Sequence, residues 1–164
     1  MNDSVERPFF VAGIDGSEAG YAAASWAAAR AARDGARVIL VHAYQVPAVV
    51  SVAGPMRTPA QKRAARRTAL RMLELAAKRL PPTVSVELIA EEGAADRVLV
   101  ERAAAADLLV LGARPQHRHP HLRFIGSIAS RCLRQAECPV VLVPSLAAAP
   151  AVGDQLREVA AQSA

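Results

Sequence analysis

The chain has 164 residues, 52% hydrophobic and 21% charged, which suits one domain with its own core and excludes an intrinsically disordered chain. Its net charge of +5 rests almost wholly on arginine, lysine occurring only at 62 and 78, so anionic ligands and nucleic acid both stay open as partners. No apolar run reaches membrane-spanning length, residues 1–7 do not read as a signal peptide, and Cys132 and Cys138 are not spaced as a metal-binding pair, so a cytoplasmic setting is expected.

Residues 1–7 read as an N-terminal tail. Phe9 to Ile14 is a short apolar run after Pro8 that stops at Asp15-Gly16-Ser17, a buried strand followed by a turn. Ser17 opens an Ala-rich helix to about Arg33, with Gly35 as its stop. Arg37 to Ala43 is a second apolar strand, and strand, helix and strand together make a βαβ unit with a parallel pair.

Residues 44–57 contain Pro47 and Pro55 and read as a long irregular connection. Thr58-Pro59 starts a second helix, running to about Arg79, with Leu70, Leu73, Ala77 and Leu80 on its apolar face. After Pro81-Pro82, the run Thr83 to Ile89 is a strand with one more exposed face, expected at the sheet edge. Ala94 to Ala105 is a helix with Val98, Leu99 and Ala103 inward, and Asp107 to Gly112 is the most apolar strand, expected to be central. A loop rich in Arg, His and Pro covers 113–125. Gly126 to Glu137 is a fourth helix, Cys138 to Pro144 a fifth strand, and 145–164 a C-terminal tail.

Five strands alternating with four helices predict a doubly wound α/β domain: a five-stranded parallel sheet with helices on both faces. Ligands in such sheets gather at the carboxyl ends of the strands, near the topological switch point. Those ends are Asp15-Gly16-Ser17, His42-Ala43 and the loop that begins at Gly112.

The same three places carry a family resemblance. Ala12-Gly13-Ile14-Asp15-Gly16-Ser17 is similar to the opening of a universal stress protein domain, and Val38 to Ala43, with its histidine, to that family's second strand. Asp107 to Gly112, then Gly126-Ser127-Ile128-Ala129 and Cys138 to Val143, resemble its C-terminal signature. The matches run in order through a domain of residues 8–144. The resemblance implies a Rossmann-like fold of the adenine nucleotide alpha hydrolase type, frequent homodimers, a stress-response role and, in one branch, ATP binding. There the aspartate after strand one and the backbone ending strand two hold adenosine, and a loop G-x-x-G-x9-G-[ST] wraps the phosphates; Asp15, Ala43, Gly112, Gly126 and Ser127 are the matching positions.

The candidate nucleotide site is therefore Gly13, Ile14, Asp15, Ser17, Ala43, Gly112, Arg114, Gly126, Ser127 and Ile128, for ATP or AMP with or without Mg. Glycines admit phosphate oxygens to the backbone N–H groups, and a helix starting at Gly126-Ser127 offers its positive end. Two departures bear on this. Pro115 stands where the pattern has a glycine and removes an N–H, and Gly126 arrives one residue late. Arg114, Arg118 and Arg123 offer side-chain phosphate contacts in exchange, although a solvated basic loop is the plainer reading. The alternative function is a dimeric interaction protein of the same fold that binds no nucleotide.

The other features have plainer readings. Asp15 also suits a helix cap, and His42 a packed strand-end residue. His117, His119 and His121 alternate as if on one extended face, but nearby arginines and the lack of acids speak against a metal. Residues 57–79 hold eight basic residues and one acid, with Arg63, Arg66, Arg67 and Arg71 on one helical stripe. A solvated face is the expectation there, because no aromatics interleave for nucleic acid. Cys132 and Cys138 are expected to pack as small residues, and Val140 to Val143 to pair with its copy in a homodimer, unless the tail covers that edge. No nucleophile with a base is evident, so no enzyme activity is expected beyond slow incidental hydrolysis.

Overall fold

The computed structural model describes residues 7–51, 54–113 and 126–144. The elements in chain order are β1 (Phe9–Gly13), α1 (Glu18–Asp34), β2 (Arg37–Tyr44), β3 (Val49–Ser51), β4 (Gly54–Met56), α2 (Pro59–Ala77), β5 (Val86–Glu92), α3 (Ala95–Ala103), β6 (Leu108–Ala113), α4 (Ser127–Gln135) and β7 (Val140–Pro144). Five strands pair in parallel in the order β5-β2-β1-β6-β7. β1 lies in the middle, with Val11 beside Ile39 on one flank and Leu109 on the other. The strand order reverses between β1 and β6, and a doubly wound sheet opens its ligand crevice there.

Unbroken apolar runs make sense in strands covered on both faces. Phe10, Ala12, Val38, Leu40 and Val110 join one core with the alanines of α1 and with Leu73 and Ala76 of α2. Val11, Ile39, Val41, Leu109 and Leu111 point the other way, to Val98, Leu99 and Ala103 of α3 and to Ala129 and Cys132 of α4. The side chains predicted to face inward from α3 are thus buried.

α1 buries Ala19, Gly20, Ala23, Ala24, Ala27, Ala28 and Ala31, nothing larger, so its backbone can lie close to the sheet. Ser17 caps its start by accepting from the Gly20 N–H at 3.1 Å, and Gly35, with φ +67°, ends it in the left-handed conformation that glycine tolerates. α2 begins with a capping box: Thr58 Oγ1 accepts from the Gln61 N–H at 3.2 Å, and Gln61 Oε1 accepts from the Thr58 N–H at 2.8 Å.

Some expectations need correction. The stretch 44–57 is not wholly irregular, because Val49–Ser51 and Gly54–Met56 pair as a small antiparallel hairpin. Two-stranded edges tolerate a proline such as Pro55, so proline content alone does not exclude a strand there. β5 starts at Val86, not Thr83, because a turn with the Val84 N–H on the Pro81 carbonyl (3.2 Å) delays pairing until Val86 meets Val38. It does stand at the sheet edge. β6 is interior but off-centre, since β1 takes the middle. The two tails, Arg114, Pro115 and the His117 to His121 segment lie outside the described residues.

Candidate functional site

At the carboxyl ends of β1, β2 and β6 the chain encloses a cavity of about 390 Å³, within the range of small-molecule sites. Nine of the ten residues expected from sequence line it: Gly13, Ile14, Asp15, Ser17, Ala43, Gly112, Gly126, Ser127 and Ile128. The tenth, Arg114, lies outside the described residues. Gly20, Val41, His42, Ala95, Leu99, Leu111 and Ala129 also line it. The walls are thus mainly apolar side chains and main chain, with a few polar groups at the rim.

The turn after β1 is a closed relay. Asp15 Oδ1 accepts from the Ser17 N–H (3.0 Å) and from the Ser17 hydroxyl, while Ser17 Oγ accepts from the Gly20 N–H. Gly16, with φ +78°, supplies the left-handed step that turns the chain from strand into helix. Gly20 was not foreseen. A Cβ there would lie 2.9 Å from Asp15 Oδ1, so a bare α-carbon is what admits the carboxylate. A lone glycine inside an alanine helix was the available sequence signal.

His42 packs at the end of β2, as its plainer reading had it. Its Nδ1 lies 2.6 Å from the Ile14 carbonyl oxygen, and since a carbonyl only accepts, the proton sits on Nδ1. The Ile14 N–H meets the Val41 carbonyl oxygen at 2.8 Å. Both main-chain groups of Ile14 are thus tied to β2, which fixes the peptide leading into Asp15.

Gly112 has a reason of its own. A Cβ there would collide with the Ala19 carbonyl carbon and lie 2.8 Å from the Gly20 nitrogen. Backbone cannot give way as a side-chain tip can, so the contact of β6 with α1 demands glycine irrespective of any ligand.

On the far side, α4 begins at Gly126 with no side-chain cap, and its first intrahelical bond runs from the Ser130 N–H to the Gly126 carbonyl at 2.9 Å. The N–H groups of its first turn have no acceptor within the helix. Gly126 has φ −54° and ψ 154°, open to any residue, and no atom of the described residues lies within 4 Å of where its Cβ would be. α3, whose Ala95 and Leu99 also line the cavity, likewise lacks a side-chain cap.

The two helices are braced from behind. Arg131 of α4 donates to Asp96 of α3 at 3.0 Å, and that bond holds the Asp96 carboxyl below its ordinary range. Burial pushes the Cys132 thiol up to about 11, so it is neutral and inert at physiological pH. Cys138 is half-buried and also free. Among the described residues no group of His, Cys, Asp and Glu could hold a metal ion, and no helix is long and apolar enough to cross a membrane.

Comparison with known proteins agrees with this arrangement. The universal stress protein Rv2623 of Mycobacterium tuberculosis is 34% identical over 140 residues, which cover 81% of this chain and 46% of that protein. The chain thus spans about half the length of the curated relatives it matches. A solved universal stress protein in complex with cAMP superposes with a TM-score of 0.54 at 25% identity, covering 85% of this chain and 98% of its own. An Arabidopsis thaliana universal stress protein family member with AMP bound shares the fold, with a TM-score of 0.59 at 17% identity over 90% of this chain and 99% of that one. The sequence profile of the universal stress protein family matches residues 10–144, and the chain belongs to that family.

Proposed function

We propose that this protein binds an adenine nucleotide, AMP or ATP, in the cavity at the strand ends and acts as a cytoplasmic regulatory module of the stress response, not as an enzyme. One observation carries the reading. Gly126 is a glycine that neither its backbone angles nor its neighbours among the described residues require, at the start of a helix that has no side-chain cap and borders the cavity. A ligand phosphate explains it: N–H groups and the positive helix end attract an anion, and a missing side chain lets it approach. Related proteins with cAMP and AMP bound lend the nucleotide its chemical class.

In this reading the main chain at Ala43 contacts the base and Asp15 accepts from a ribose hydroxyl or the adenine amine. Val41, Leu99, Leu111 and Ile128 give the base an apolar surround. Gly126, Ser127 and Ile128 hold the phosphate, with Arg114 beside it and Mg as a further partner of ATP. Self-association belongs to the same proposal. β7 is an edge strand with no neighbour beyond it among the described residues, and Val140 to Val143 would pair with the same strand of a second copy.

The test is mass analysis of nucleotide released from the purified protein, with size-exclusion chromatography for the dimer. An adenine nucleotide is the expected product. Failure to detect one, with no uptake at millimolar AMP or ATP, would favour the interaction-protein alternative, for which Pro115 is the sequence feature.

A further inference from the structure

Half of the cations among the described residues are matched by acids. Arg30 meets Asp34 at 2.6 Å, Arg37 meets Glu87 at 2.8 Å and Arg102 meets Glu91 at 2.6 Å. The ends of α2 follow suit: Arg57 and Lys62 reach Glu92 at 3.8 and 3.7 Å, and Arg79 reaches Glu18 at 3.6 Å. The unmatched ones cluster in the middle of α2. Arg63, Arg66, Arg67 and Arg71 are all exposed, and none has an acidic partner among the described residues.

The outer face of α2 also carries apolar surface. Ala64, Arg67, Thr68 and Arg71 line a shallow cleft of about 270 Å³, and Leu75, one turn past Arg71, is 54% exposed. At 100° per residue these side chains and Lys78 fall within about 100° of arc on one side of the helix. The opposite side, with Ala69, Leu73 and Ala76, is buried against the sheet. The cleft is lined by none of the residues that line the nucleotide cavity.

We propose that this face of α2 docks an acidic amphipathic helix of a partner protein. Arg67 and Arg71 present guanidinium forks that match carboxylates with paired hydrogen bonds. Ala64 before this pair and Leu75 after it each meet an apolar side chain at either end of the charges. A nucleic acid backbone fits less well, because it gains nothing from the exposed Leu75. The chain's own acids on β5 and α3 are engaged with basic side chains, which leaves them less free to serve a second copy than the acids of a partner protein.

Fluorescence anisotropy with a labelled helical peptide, Glu and Leu alternating by turns along one face, tests this on the full chain. Saturable binding is expected, weakened about tenfold or more by Arg67→Gln/Arg71→Gln and about threefold to tenfold by Leu75→Gln. The pair Arg33→Gln/Arg134→Gln, equal in charge change but elsewhere, leaves affinity unchanged. Circular dichroism checks that each variant is folded. Equal loss from both double variants, indifference to Leu75→Gln, no saturable binding, or tighter binding of a short DNA duplex than of the peptide would each overturn the proposal.

Discussion

Two of the glycines that line the cavity, Gly112 and Gly126, are explained by opposite means. At Gly112 the protein itself supplies the reason, because α1 backbone occupies the space where a side chain would go. At Gly126 the space is open and the backbone angles are ordinary, so nothing within the described residues asks for glycine. The helix starts nearby follow the same division: α1 is capped by Ser17 and α4 by no side chain. A motif residue can therefore belong to the fold or to the ligand, and substitution should separate the two.

The largest effect is expected on the fold side. Gly112→Val forces α1 away from β6, and overpacking against backbone should cost about 3 kcal/mol or more, seen as a lower urea midpoint. A variant as stable as the parent would show that α1 and β6 are farther apart than described.

Gly126→Asp should do the reverse. Aspartate at a helix start can cap it, so stability should stay within about 0.5 kcal/mol of the parent or rise. Yet the carboxylate stands where a phosphate would go, and nucleotide affinity should fall about tenfold or more. Unchanged affinity would remove Gly126 from the site.

Asp15→Ala should fall between these. It breaks the relay through Ser17, at a cost of about 1 kcal/mol, and weakens nucleotide binding about tenfold through the lost acceptor. If only stability changed, Asp15 would be a cap and no more.

The packing behind α4 predicts a pH effect. The Cys132 thiol binds its proton more firmly folded than unfolded, its value being raised from 9.0 to about 11 by burial. That contribution is whole below pH 9 and is lost as the pH rises from 9 towards 11. Denaturation curves across that window should show a decline that Cys132→Ala flattens. Pro115→Gly should have the smallest effect, leaving nucleotide affinity equal or slightly tighter; a weaker affinity would contradict the role given to that loop.

Most of the fold was legible because its signals are local. Apolar runs between Gly, Pro and Ser marked the five strands and four helices, and Thr58-Pro59 and Gly35 marked helix ends. The hairpin at 49–56 was missed because it rests on pairing between two three-residue pieces, with little periodicity to reveal it. The site was legible at the strand ends, where Asp15, Ala43, Gly112 and Gly126 stand. What escaped was tertiary: that Gly112 meets α1, that Gly20 makes room for Asp15, and that His42 holds Ile14. The first and the last depend on which elements lie side by side, which no single segment contains, and the Gly20 contact depends on where the Asp15 carboxylate turns.

The central claim is that the cavity between Asp15 and Gly126 takes an adenine nucleotide. Isothermal titration of AMP into the parent protein and into Gly126→Asp, both shown to be folded, tests it most directly. The account predicts saturable binding of one nucleotide per chain in the parent and a loss of about tenfold or more in the variant. Equal affinity in the two proteins, or no heat from the parent at millimolar AMP, would contradict it.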